Sequence, residues 1–117
     1  MKQTLGKEDR IHRELELRQA LRTGRSLADK MLRLVILRNG LDRSRMAVTV
    51  SRHHGCAVER NRIKRLCREA FRLSRPELPP GLDFVLRPKI GAKLELSGLR
   101  ESLARLTRGI VQDIKRE

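Results

Sequence analysis

Aromatic residues are almost absent from this chain, which has no tryptophan, no tyrosine and two phenylalanines, Phe71 and Phe84. A basic helix that lies on a membrane surface needs Trp or Phe along its apolar face, so the chain's positive charge is not explained that way. Long apolar runs are missing too. The longest unbroken aliphatic stretch is Leu34-Val35-Ile36-Leu37, far short of the roughly 20 residues of a membrane span. The N-terminus has early charges and no apolar signal region, so the chain is expected in the cytoplasm, away from any membrane. Cysteine is limited to Cys56 and Cys67, too few and wrongly spaced for a disulfide scaffold or a two-pair zinc site.

Acidic residues are scarce as well, with 14 Asp+Glu against 28 Lys+Arg and a net charge of +14. A folded domain with that excess repels itself, and the natural compensation is a polyanion, most commonly nucleic acid. A metal-dependent nuclease needs clustered carboxylates. Glu8-Asp9 lie in an N-terminal arm, and Glu14 and Glu16 open a short helix, where the helix dipole accounts for them. His12, His53 and His54 have no Ser or Cys with a supporting acid in a catalytic arrangement. His53, His54, Cys56 and Cys67 match no usual zinc spacing, and Cys67 reads as a small core residue.

The 117 residues fit one domain. Residues 1–13 are polar and read as a flexible basic arm, loosely held, ahead of a domain over 14–117. Glu14 to Arg22 has apolar residues at helical spacing, with Thr23-Gly24 as a stop. Met31 to Arg38 reads as a strand, Asn39-Gly40 as a turn, and Arg45 to Ser51 as a half-buried strand with Met46, Val48 and Val50 on one face. Ala57 to Arg72 reads as a helix. Pro76, Pro79, Pro80 and Gly81 form a rigid connector. Leu82 to Arg87 is a short strand, and Ser97 to Lys115 a last amphipathic helix built on Leu99, Leu103, Leu106, Ile110 and Ile114. The order implies an α+β sandwich.

The segment 57–72 carries the strongest signal. Between 60 and 72 it holds Arg60, Arg62, Lys64, Arg65, Arg68 and Arg72 against one acid, Glu69. At 100° per residue, Asn61, Lys64, Arg65, Arg68 and Arg72 fall within about 140° of Arg60. Ile63, Leu66, Cys67 and Ala70 fall on the arc to the other side of Arg60, between about −20° and about −120°, with Phe71 at the edge. A solvated helix face mixes signs, because like charges at i,i+4 repel. Here one sign repeats at Arg60, Lys64 and Arg68, and Arg dominates, the residue suited to bidentate phosphate contacts. Asn61 reads equally as a cap or polar helix residue and as a base or phosphate contact.

The run Arg60-Asn61-Arg62-Ile63-Lys64-Arg65-Leu66-Cys67-Arg68-Glu69-Ala70-Phe71-Arg72, preceded by Ser51-Arg52-His53-His54-Gly55-Cys56-Ala57-Val58-Glu59, resembles the signature of the bacterial ribonuclease P protein family. The resemblance spans roughly residues 10–115. It implies a single-domain two-layer sandwich of α-β-β-β-α-β-α order, ribosomal-protein-like, with a left-handed βαβ crossover at the basic helix. It implies that the helix meets the ribonuclease P RNA through Arg60, Asn61, Arg62, Lys64, Arg65, Arg68 and Arg72. Arg52 and His53, which stands where the family usually has Lys, are expected to touch phosphate. It further implies a cleft between the first helix and the sheet for the 5′ leader of precursor tRNA. The family's aromatics there are replaced by Leu17, Leu21, Leu32 and Val35, with Arg18 at the rim. The resemblance also implies that the RNA partner carries the cleavage chemistry with Mg2+ and that the protein alone binds no cofactor. A ribosomal or ribosome-assembly RNA binder is the alternative. A DNA reader using 57–72 as a recognition helix would normally be a dimer on duplex half-sites, and DNA is not the expected partner.

Overall fold

The computed structural model describes residues 6–11 and 14–115. Among these residues three α-helices and four strands follow one another: α1 (Glu14–Thr23), β1 (Arg25–Ala28), β2 (Leu32–Arg38), β3 (Arg45–Val48), α2 (Ala57–Ser74), β4 (Leu82–Pro88) and α3 (Leu96–Lys115). The strands form one sheet in the order β1-β2-β4-β3. β1 pairs with β2 and β2 with β4 antiparallel, whereas β3 and β4 are parallel neighbours joined by the α2 crossover. This is the α-β-β-β-α-β-α order expected from the family resemblance.

Alternation along the strands assigns the two faces. Leu32, Leu34 and Ile36 of β2, Met46 of β3, and Leu82, Phe84 and Leu86 of β4 bury against α2 and α3. The helices answer with Ile63, Cys67, Ala70 and Phe71, and with Leu99, Leu103, Leu106 and Ile110. Phe71 and Phe84 meet at its centre with ring centroids 5.4 Å apart, tilted by 60°, an arrangement favourable to the ring quadrupoles. This layer and the sheet make the sandwich. On the other face α1 lies across part of the sheet. Its Ala20 is buried with Ile11, Val35 and Val85, and Leu17 and Leu21 pack over them. β4 is thus apolar along its α2/α3 side, while on the α1 side only Val85 is apolar, flanked by Asp83 and Arg87.

Gly24 sets how closely α1 approaches the sheet. A Cβ there would stand 2.5 Å from the Ala20 carbonyl oxygen and 2.7 Å from Val35 Cγ1. The rim of this face is closed by ions. Arg45 donates to both oxygens of buried Asp83, Nε to Oδ1 at 2.9 Å and Nη2 to Oδ2 at 2.7 Å, and Nη2 also meets Glu16 at 2.8 Å. Asn39 Nδ2 adds a hydrogen bond to Asp83 at 2.9 Å. The buried Asp83 carboxylate is therefore paired on both of its oxygens.

One expectation is overturned here. Residues 6–11 are not a loose arm. The Ile11 amide donates to the Met46 carbonyl at 3.0 Å, and Asp9, buried, pairs with Arg75 from the end of α2. The hydrogen bond from Arg75 lowers the Asp9 pKa despite its burial. The rest of that arm, residues 1–5, 12 and 13, lies outside the described residues. The first strand of the sheet, β1, has only Leu27 and Ala28 as apolar residues and no alternation, so the sequence pattern did not mark it.

Candidate nucleic-acid interface

α2 starts abruptly. Gly55 takes φ 123°, a conformation open to glycine, and Cys56 follows as the residue before the helix with no side-chain cap. Asn61 stands in the second turn and is exposed, so it does not cap the helix. The helix then separates its faces as its periodicity demands: Ile63, Cys67, Ala70, Phe71 and Ser74 are buried. Asn61, Arg62 and Arg65 are exposed, and Arg60, Lys64, Arg68 and Arg72 are half-buried. The half-buried stems lie on the protein while their heads reach water.

The cations are not equivalent. Arg62 pairs with Glu59 at 3.3 Å and Arg72 with Glu69. Arg60, Lys64, Arg65 and Arg68 have no acidic partner among the described residues. These four form the bare part of the stripe, on one side of a helix whose other side is core. Such a surface stores electrostatic repulsion that only an approaching anion relieves.

Leading into α2 is the 3-10 turn Arg52–His54. Arg52 and His53 are exposed. His54 is tied down: the Ser51 amide donates to its Nδ1 at 3.0 Å, and its Nε2 meets the Pro88 carbonyl at 2.8 Å. With Nδ1 accepting, Nε2 carries the proton, which fixes the neutral tautomer. That contact pins the turn to the end of β4. Cys67 is wholly buried, and burial pushes its thiol up to about 12. Cys56 is exposed. Among the described residues no three His, Cys, Asp or Glu side chains gather as a metal site.

The five residues assigned to a leader cleft do not stay together. Leu17, Leu21 and Val35 meet on the α1 face. Leu32 is wholly buried on the opposite face with α2 and α3. It precedes Val35 by three residues, an odd offset that turns a strand side chain over, so Leu32 is a core residue and not part of the cleft. Arg18 points away, holding Glu14 at 2.7 Å on the exposed side of α1. What opens beside α1 is a polar cavity of about 330 Å3, lined by Glu16, Gln19, Leu37, Arg38, Arg45 and Asp83 among others. The uncovered part of the same sheet face carries Arg33 and Arg87. Sequence pattern placed both in strands without singling them out, because only the strand register brings them together.

Comparison with known proteins decides the family. The family model for ribonuclease P matches residues 5–111. The chain belongs to the ribonuclease P protein family. The ribonuclease P protein component of Clostridioides difficile strain 630 is 37% identical over 84 residues, covering 71% of this chain and 74% of that one. That of Natranaerobius thermophilus is 33% identical over 99 residues, covering 84% and 86%. The fold agrees. The solved RNase P protein of Thermotoga maritima superposes with a TM-score of 0.78 at 29% identity, over 86% of this chain and 96% of that one. The RNase P protein of Staphylococcus aureus gives 0.74 at 25% identity, over 86% and 93%. Membership in the ribonuclease P protein family accounts for the basic helix and disfavours a ribosomal or DNA-reading role.

Proposed function

We propose that this chain is the RNA-binding, non-catalytic subunit of ribonuclease P, acting in the cytoplasm on precursor tRNA. The α2 face with Arg60, Lys64, Arg65 and Arg68 docks on the RNA subunit. Asn61, Arg62, Arg72, Arg52 and His53 extend that contact along the helix and the turn before it. The surface beside α1 on this face of the sheet, edged by Leu17 and Leu21, receives the 5′ leader. The RNA subunit carries the hydrolysis with Mg2+, and the protein lowers phosphate repulsion and holds the substrate. The observation that carries this reading is the row of cations on α2 that lack acidic partners while the opposite face is core.

The experiment is recovery of the protein from cell extract followed by sequencing of the bound RNA. One abundant structured RNA, together with tRNA precursors, is the expected result. Ribosomal RNA in its place would refute the reading. Rigorously purified protein should leave precursor tRNA intact until its RNA subunit is added.

A further inference from the structure

On the α1-facing side of the sheet, helix α1 packs over Val35 and Val85 and their neighbours Leu37 and Ala47. Two residues further along each central strand, the same face carries Arg33 on β2 and Arg87 on β4. The β2–β4 ladder sets these two directly opposite one another. Side chains so placed have Cβ atoms roughly 5 Å apart, and like charges there repel. Neither guanidinium meets a carboxylate among the described residues. Arg33 instead leans toward β1, where its Nη1 donates to the Ser26 hydroxyl at 3.2 Å. Arg33 is half-buried and Arg87 exposed, so the pair faces solvent.

The location gives the pair a direction. β4 ends at Pro88, whose carbonyl takes the His54 ring, so the Arg52–His54 turn and the start of α2 lie at this end of the sheet. At the other end of the same face Arg45 is already consumed by Asp83 and Glu16. The uncompensated charge thus lies between α1 and the basic helix. We propose that Arg33 and Arg87 form a phosphate clamp for single-stranded RNA, gripping the backbone of the 5′ leader where it passes from α1 toward α2. The proposal rests on the leader reading given above and names the chemistry of that surface. Two planar forks on one phosphate supply parallel hydrogen bonds and charge together. They read no base. They stand in for ring stacking, which the aliphatic Leu17, Leu21 and Val35 cannot supply.

The test uses holoenzyme reconstituted with its own RNA subunit and two precursors, one with a long leader and one with a single leader nucleotide. Wild-type enzyme should bind the long-leader precursor more tightly. The double variant Arg33→Gln/Arg87→Gln should lose on the order of tenfold of that advantage. Its salt slope for the long-leader precursor should shrink by about 0.7, one single-strand phosphate. Affinity for the RNA subunit and for the one-nucleotide precursor should stay unchanged, and the free protein should melt no lower than wild type. Each single variant, keeping one cation, should show an intermediate advantage, which gives a readout even where the double variant folds poorly. A double variant with the wild-type advantage overturns the clamp and leaves the leader reading standing. Equal losses on both precursors also overturn it, placing the pair at the RNA-subunit contact. Wild-type enzyme indifferent to leader length refutes the leader reading itself.

Discussion

Asp29, at the turn between β1 and β2, offers a quantitative test of how the sheet is fastened to α3. Its Oδ1 accepts the Met31 and Leu32 amides, each at 2.9 Å. Its Oδ2 accepts the Ser102 hydroxyl at 2.6 Å and Arg105 Nη2 at 2.7 Å. Burial raises the carboxyl's pKa, but the bonds from Ser102, the two amides and Arg105 outweigh it and hold the pKa at about 2, against 3.8 for the free group. The folded-state pKa lies below the unfolded one, so the unfolded chain takes the proton first as pH falls. The stabilisation is therefore complete above about pH 4 and is lost as pH drops toward 2. A shift of nearly two units corresponds to about 2 kcal/mol, reduced somewhat because Arg105 is largely exposed. Asp29→Asn should cost that amount at pH 7, a fall in Tm of about 6–12 °C for a domain of this size. Urea unfolding of both proteins from pH 7 to pH 2 is the assay. The gap between them should close as pH falls toward 2. A variant as stable as wild type at pH 7, or a gap unchanged at pH 2, would mean that Asp29 does not fasten the sheet to α3.

Two further predictions follow from burial. In native protein a thiol reagent should modify Cys56 and leave Cys67 untouched, because the Cys67 thiol is buried and pushed up to about 12. Both should react after denaturation, and fast native modification of Cys67 would contradict its place in the core. Leu32→Ala should cost about 2–5 kcal/mol of stability, as expected for a buried leucine. It should not alter discrimination between long and short leaders in folded holoenzyme; a specific loss of leader binding would return Leu32 to the cleft.

Much of this architecture was legible in the residues, and the failures have physical causes. The two faces of α2 follow from a 3.6-residue period that places Ile63, Cys67 and Ala70 together. The closing helix follows from Leu99, Leu103, Leu106 and Ile110 in the same way. β1 was invisible because an edge strand of four residues with one half-exposed apolar pair has no pattern to read. Leu32 was misplaced because β2 is apolar on both faces from Leu34 to Leu37, so its sequence does not say which face α1 covers. The docking of residues 6–11 depends on Asp9 meeting Arg75, 66 positions away. The opposition of Arg33 and Arg87 depends on strand register. Neither is a local property, and propensity and periodicity are both local.

The bare cations of α2 are the proposed RNA-binding surface. The most direct measurement is the affinity for the ribonuclease P RNA as a function of salt, for wild type and for Arg65→Ala/Arg68→Ala. Four phosphate contacts predict a slope of log affinity on log salt of about −3 to −4 for the wild-type stripe alone, shallower by about 1.5 in the double variant. Both side chains project from the helix away from its core face, so the variant's stability should stay within about 0.5 kcal/mol of wild type. A weakened, less salt-sensitive complex formed by a normally folded variant is the predicted result. Wild-type affinity with an unchanged slope would mean that α2 is a solvated charged helix and that the RNA is held elsewhere.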